Sequence, residues 1–353
     1  AEGRADEIIT CIACNQACLD HTFKNQRATC MLNPRAAFET ELVLLPTRTV
    51  KKIAVVGAGP AGLAAAVELA GRGHEVELFE AAPEIGGQFK LAMEIPGKEE
   101  FKETIRYYSR MIEVRGVQLH LGTRFDAETR AADGSAFDEV VLATGVEPRI
   151  PSIPGIDHPS VVTYQQVIGE RVPVGETVAV LGAGGIGFDV SELLLHEPYE
   201  SLEHWMERWG VVDPALERGG LGTKVKAPAR RQVYLLQRKH TELGKGLGKT
   251  TGWVHRATLK DSGVEMIKGV TYDRIDDEGL HVTVRASEKA EPEELLVRAD
   301  TIVLCTGQES VRDLLLPLEE QGVSVHVIGG ADVAAELDAK RAIKQATELA
   351  ARL

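Results

Sequence analysis

The sequence predicts an α/β protein with two Rossmann-like domains, the second inserted into the first, preceded by a small cysteine-rich segment. Three observations predict it. A strand–GxGxxG–helix pattern occurs twice, as GAGPAG (Gly57, Gly59, Gly62) and as GAGGIG (Gly182, Gly184, Gly187). A strand–(A/C)TG pattern also occurs twice, as FDEVVLATG and DTIVLCTG, once per half and in the same order. Four of the five cysteines fall within residues 11–30.

The elements follow in order. Residues 1–49 carry the cysteines, with helical stretches and little apolar periodicity. At Lys51 a buried parallel strand begins, KKIAVVGAG, followed by the Ala/Leu-rich helix PAGLAAAVELAGRGHE and the strand VELFE, which stops at Glu80. A helix over 101–116 and a strand over 117–121 come next, then FDEVVLATG at 137–145. The proline-rich VEPRIPSIPG reads as a linker. A second strand–loop–helix starts at Thr177, and its partner strand RQVYLLQRK appears only at Arg231, so 196–230 reads as an insertion. Short alternating segments over 263–297 suggest strands. DTIVLCTG, VHVIGGAD and a helix over about 334–353 close the chain. The expected domains are 1–49, 50–150, 151–308 and a return to the first domain over 309–353.

With 353 residues the chain suits two domains of about 150 residues each. Hydrophobic residues make up 44%, enough for ordinary cores. The 53 acidic against 40 basic side chains give a net charge of −13, which argues against nucleic acid or an anionic membrane as main partner. No apolar run approaches the roughly 18 residues of a membrane span, and no basic-then-apolar leader is visible. A cytoplasmic location is expected. The start, AEGRADEIITC, lacks a Met and runs straight into the cysteines, as if something upstream had been cut away.

Each glycine of the first loop has its own task. Gly57 makes the tight turn, Gly59 lets the backbone approach a pyrophosphate, and Gly62 allows helix and strand to pack. Glu80 sits 18 residues past Gly62, where a carboxylate accepts hydrogen bonds from ribose hydroxyls. The competing reading is a glycine-rich turn with no ligand. In the second loop Gln237 stands where Glu80 stands in the first, followed by Arg238 and Lys239. Losing the acid and gaining two cations suits a ribose 2′-phosphate, so NADPH is expected over NADH. The competing reading is a solvated basic strand end. Lys245, Lys249 and Arg256, in the stretch 244–256, are further phosphate candidates or part of a surface loop.

Cys11, Cys14, Cys18 and Cys30 are spaced C-x2-C-x3-C-x11-C. Clustered cysteines in a large α/β chain point to a metal rather than a disulfide framework. The spacing favours a 4Fe–4S cluster, with structural zinc or a redox disulfide as competitors. Cys305 reads as a small buried hydrophobe. Asp332 either meets a flavin's ribityl hydroxyls or caps the last helix. His255 and His281 read as structural or surface residues.

The order of the blocks is that of flavin-dependent disulfide-reductase-like proteins, in which an NAD(P)H domain is inserted into a FAD domain. More narrowly, CIACNQAC…C, GAGPAGLAAA, EIGGQF, IPGKEEF, GAGGIGFD, LLQRK, GLGKTTGW and VIGGAD together resemble the bacterial 2,4-dienoyl-CoA reductase family, related to trimethylamine dehydrogenase and 2-enoate reductases. The resemblance covers residues 8–353. It implies that Cys11, Cys14, Cys18 and Cys30 ligate the cluster. Ala61, Glu80, Gly87, Gln88 and Lys98, with the backbone at Phe125, would hold FAD. Arg238, Lys239 and Arg256 would hold the NADPH 2′-phosphate.

Such enzymes begin with a (β/α)8 TIM barrel that carries FMN and the enoyl-thioester site, and no such segment is in this sequence. The resemblance therefore implies the electron-supplying part of such an enzyme: NADPH to FAD to cluster to FMN on the barrel, with dienoyl-CoA reduced during unsaturated fatty-acid β-oxidation. Alone, it would show only NADPH diaphorase activity. The competing expectations are a relative acting on another activated alkene or an amine, and a non-catalytic dinucleotide-binding redox sensor with structural zinc.

Overall fold

A computed structural model describes residues 3–196, 201–225, 229–334 and 338–353. Parts of the predicted insertion (197–200 and 226–228) and of the predicted last helix (335–337) lie outside the described residues. The chain divides into two units, Ala1–Arg149 with Gly307–Leu353, and Ile150–Thr306.

In the first unit the elements are α1 (Leu19–Thr22), β1 (Lys52–Val56), α2 (Pro60–Gly71), β2 (Glu75–Phe79), α3 (Gln88–Ala92), α4 (Phe101–Arg115), β3 (Gln118–His120), β4 (Glu139–Leu142) and β5 (Val146–Pro148). The second unit holds β6 (Val161–Thr163), β7 (Thr177–Leu181), α5 (Gly185–Leu195), α6 (Leu202–Trp209), β8 (Gln232–Gln237), α7 (Gly252–Asp261), β9 (Glu265–Lys268), β10 (Val270–Asp276), β11 (Gly279–Val284), β12 (Glu293–Val297) and β13 (Thr301–Leu304). The chain then returns to the first unit with β14 (Gln308–Ser310), α8 (Leu315–Glu320), β15 (Ser324–Val327) and α9 (Ala339–Arg352).

The first unit is built on a parallel sheet in the order β15-β4-β1-β2-β3. Its central strands are continuous apolar runs because both faces are covered. On one face α2, α4 and α9 pack through Leu63, Leu69, Ile112, Ile343 and Leu349. The cysteine segment shares this core through Ile12, Ala17, Met31 and Leu32. Burying Ile12, Met31 and Leu32 contributes about 1.5–3 kcal/mol each, which outweighs any surface ion pair in holding that segment in place. On the other face Phe79 meets Phe125 edge-on, centroids 5.1 Å apart.

The second unit repeats the plan, with a parallel sheet ordered β6-β13-β7-β8-β9. A three-stranded antiparallel sheet, β10-β11-β12, packs against it through Leu280, Val282 and Val297 over Ala179, Leu236 and Leu304.

Three expectations gain detail and one, the start of the last helix, is corrected. The proline-rich linker contains β5, which pairs antiparallel with β14 at the other crossing between units. Its backbone alternation is invisible in a segment dense in proline. The insertion carries a helix, α6, capped by Ser201, whose side chain accepts the His204 N–H. The stretch 244–256 is only partly loop, since α7 starts at Gly252. The last helix begins at Ala339, where Asp338 accepts the Arg341 N–H at 2.6 Å, and Ala334 is not helical. No helix among the described residues is long and apolar enough to cross a membrane.

Candidate dinucleotide and cysteine sites

In the first unit the chain leaves β1 through Gly57, whose φ of +101° suits glycine. A Cβ there would lie 2.5 Å from the Ala143 carbonyl oxygen, and one on Gly62 would lie 1.8 Å from the Gly57 carbonyl oxygen. In the second unit a Cβ on Gly182 would meet the Cys305 carbonyl oxygen at 2.2 Å, and one on Gly187 would meet the Gly182 oxygen at 1.8 Å. Glycine loop and (A/C)TG turn are therefore one device. Each first glycine lies against the backbone of the small residue just past the neighbouring strand, β4 or β13, which is why the two motifs recur together.

Gly59 and Gly184 differ. A Cβ on Gly59 would approach only Gly87 Cα, at 3.9 Å, and one on Gly184 would meet nothing within 4 Å. Packing does not demand glycine at either position. Neither α2 nor α5 has a side-chain cap at its N-terminus. Open space over uncapped N–H groups is what a pyrophosphate requires.

Around the first loop the structure gathers most of the expected residues. Glu80 accepts the Ala58 N–H at 2.7 Å through one oxygen and the Ala82 N–H at 2.9 Å through the other. The Gly86 N–H donates to Ala58 O at 2.8 Å. Gly87, with φ +51°, comes so close to Gly59 that a Cβ would lie 2.9 Å from its Cα. Gln88, the first residue of α3, is thereby delivered to the loop. The segment after β15 closes on it too, since a Cβ on Gly329 would lie 2.8 Å from Ala61 Cβ. Lys98 is half-buried in the turn after α3. The Phe125 ring lies in the core, leaving its backbone as the part able to face a ligand.

Asp332 is not the helix cap, a role that belongs to Asp338. Its carboxylate accepts a 2.7 Å bond from Gln345 Nε2, while Gln345 Oε1 accepts the Gly329 N–H at 2.9 Å. Arg341 donates to the carbonyls of Gly329 and Val333. Arg341 and Gln345 are the positioning residues that sequence reasoning missed. Their only signal is a polar pair at i, i+4 on the polar face of an amphipathic helix, shared with Lys344, Glu348 and Arg352.

At the second loop, Gln237 turns its amide onto its own segment, donating to the carbonyls of Lys239 (3.0 Å) and Thr241. It does not reach the glycine loop as Glu80 does. Arg238 and Lys239 are exposed just past β8, and their side chains pair with no acid among the described residues. Arg256 Nη1 donates to Gly244 O at 3.0 Å, and the Gly244 N–H reaches Ala183 O at 3.4 Å. Arg256 thus braces the segment beside the second loop. His255 and His281 pair with Glu192 (2.7 Å) and Asp276 (2.9 Å). Burial pushes the Cys305 thiol far up, in keeping with a small hydrophobe.

The cysteine loop is folded by its backbone. Ala13 and Asn15, at φ +54° and +58°, turn the chain tightly between Cys11 and Cys18. The Thr29 N–H donates to Ala17 O at 2.8 Å, which brings Cys30 back beside Cys18 across eleven residues. The Ala13 N–H points at Cys11 Sγ (3.4 Å), and the Gln16 N–H serves Cys14. Burial pushes the Cys14 thiol up, and the other three cysteines push it further, against the Gln16 N–H. Four such groups are thiolates together only with a cation among them. All four are free. Arg106 on α4 anchors the approach, donating to the carbonyls of Asp6 (2.8 Å) and Ile8 (3.1 Å).

The family model for pyridine nucleotide-disulphide oxidoreductases matches residues 51–341, covering both loops and both turns. The chain belongs to that family. It is a Rossmann-type flavoprotein oxidoreductase of pyridine nucleotides. Among curated members, a metal reductase of Desulforamulus reducens is 30% identical over 93% of this chain and 48% of its own length. An NADH oxidase of Thermoanaerobacter brockii is 32% identical over 94% of this chain and 46% of its own. The chain spans about half the length of these relatives. The solved structure of a 2-naphthoyl-CoA reductase with 2-naphthoyl-CoA superimposes over 100% of this chain and 47% of its own, with TM-score 0.82 and 26% identity.

Proposed function

We propose that this chain is the electron-supplying part of an NADPH-dependent flavin and iron–sulfur oxidoreductase. One observation carries the reading: a single chain holds two complete dinucleotide loops and packs a four-cysteine loop into the core of the first. When bound, FAD accepts a hydride from NADPH and a 4Fe–4S cluster relays electrons singly. The protein's residues bind and orient. The uncapped α2 N-terminus and the space at Gly59 suit the FAD pyrophosphate. Glu80 keeps lone pairs for ribose hydroxyls, Gly87, Gln88 and Lys98 border the site, and Asp332 is held ready by Gln345 for a ribityl hydroxyl.

The α5 N-terminus and the space at Gly184 suit the NADPH pyrophosphate. Arg238 and Lys239, which pair with no acid among the described residues, are the proposed cations for its 2′-phosphate, with Arg256 bracing the adjacent segment. Cys11, Cys14, Cys18 and Cys30, spaced C-x2-C-x3-C-x11-C, suit a 4Fe–4S cluster better than structural zinc, which usually takes two C-x2-4-C pairs.

In the whole protein the electrons would pass to FMN on a barrel and reduce an activated alkene of the enoyl-thioester class, with 2,4-dienoyl-CoA of fatty-acid β-oxidation as the proposed substrate. The similarity to a protein solved with an aryl acyl-CoA supports the thioester class. The test is cofactor analysis of the purified chain. About one FAD, four irons and four acid-labile sulfides per chain are expected. Zinc with no sulfide would overturn the iron–sulfur assignment.

A further inference from the structure

Behind the cysteine loop lies a cavity of about 210 Å3, bounded by Arg35, by Glu68 of α2 and by Tyr107, Tyr108 and Arg115 of α4. From α9 it receives only Ile343 and Thr347, which do not titrate. It is polar and roomy enough for several waters, each with a share of about 30 Å3. Tyr108 is only 4% exposed, and its hydroxyl has no protein partner among the described residues, though it borders the cavity. The Glu68 carboxyl likewise makes no hydrogen bond or ion pair among the described residues. Arg35 and Arg115 act on it only from a distance, and Arg35 Nε is spent on Leu42 O at 3.2 Å. Burial pushes the Glu68 carboxyl up against both guanidiniums.

Tyr108 lines the cavity together with Glu68 and belongs to the same apolar core against which Cys14 and Cys30 pack. Burial pushes the Tyr108 phenol so far up that it stays neutral and only orients hydrogen bonds. Arg35 and Arg115 are permanently charged. Among the groups around the cavity, Glu68 is the carboxyl, and burial favours its protonated form.

We propose that Glu68 takes up one proton through this cavity whenever the group held by the cysteines gains one electron. The electron derives from the pyridine nucleotide and the proton from solvent. The proton binds a carboxylate oxygen of Glu68, no other bond changes, and the net charge of the region is preserved. An unpartnered carboxylate in a poorly solvated pocket is already costly, and negative charge added beyond Tyr108 raises that cost until protonation relieves it. This rests on reading the cysteines as a redox site.

The experiment is a potentiometric titration of the iron–sulfur absorbance from pH 6 to 9, with reduced-minus-oxidised infrared spectra of the carboxyl region. In the native chain the one-electron equilibrium should shift up to tenfold per pH unit, about 59 mV. A protonated-carboxyl band should appear on reduction. Glu68→Gln, nearly isosteric, should abolish both, and Glu68→Asp should restore a pH dependence. Flavin content and thermal midpoint of each variant report folding. A potential independent of pH in the native chain, or a slope and band unchanged in Glu68→Gln, would overturn the proposal alone. A chain that binds no iron would overturn the redox reading and the proposal with it.

Discussion

Glu80, at the end of β2, accepts the backbone N–H of Ala58, in the middle of the first glycine loop, at 2.7 Å. The carboxylate proposed to read a ribose therefore also holds the loop proposed to read a pyrophosphate. Replacing Glu80 by Ala leaves that N–H and the Ala82 N–H without their acceptor, at a cost of about 1–3 kcal/mol. Glu80→Ala should lower the thermal midpoint and lose FAD on gel filtration. Retention of stoichiometric FAD would show that Glu80 serves the loop alone.

The glycines separate folding from binding. Gly62→Ala and Gly187→Ala force a Cβ to 1.8 Å from a backbone oxygen and should abolish soluble expression. Gly59→Ala and Gly184→Ala meet no protein atom closer than 3.9 Å and should fold normally. Gly59→Ala should lose FAD, and Gly184→Ala should weaken the pyridine nucleotide about tenfold or more. Circular dichroism and nucleotide titration distinguish the two classes. Normal binding by both permissive variants would remove the pyrophosphate assignment.

Arg238→Ala with Lys239→Ala should raise the KM for NADPH roughly tenfold or more, equivalent to at least about 1.4 kcal/mol, and leave that for NADH within about twofold. Steady-state diaphorase assays with both nucleotides check it. Equal losses for both would mean that these cations attract the nucleotide without selecting the 2′-phosphate.

Glu139, on β4, bonds Lys51 Nζ at 2.6 Å and His326 Nε2 at 2.9 Å. Burial would raise its pKa, but hydrogen bonds from Lys51, Ser324 and His326 outweigh burial and hold it at about 2. A carboxyl depressed by folding lends its stability above the usual carboxylate range and loses it as pH falls through that range toward 2. Glu139→Gln should destabilise the chain at pH 7 by about 1–3 kcal/mol, with the gap narrowing below pH 4. Thermal melts of both proteins from pH 7 to pH 3 test this, and a gap constant with pH would contradict it.

The parallel sheets and glycine loops were legible because their signals are local: an apolar run, a fixed glycine spacing, a small residue after a strand. The inserted-domain plan was legible because those blocks repeat in order. What escaped depends on partners remote in sequence. β5 becomes a strand only when β14 returns some 160 residues later to pair with it. The start of α9 depends on a cap at Asp338, whereas the apolar pattern extends further upstream. Arg341 and Gln345 show their purpose only once the segment 329–333 is folded against them. The cysteine spacing was plain, but the Thr29-to-Ala17 bond that closes the loop was not.

Electrons are proposed to pass from pyridine nucleotide to flavin to cysteine-held iron within this one chain. The most direct test of this path is an anaerobic visible spectrum of the purified protein before and after NADPH. Flavin bands over a broad iron–sulfur shoulder are expected, both bleached by NADPH and restored by air. A colourless protein, or a flavin spectrum that NADPH leaves unchanged, would contradict this path.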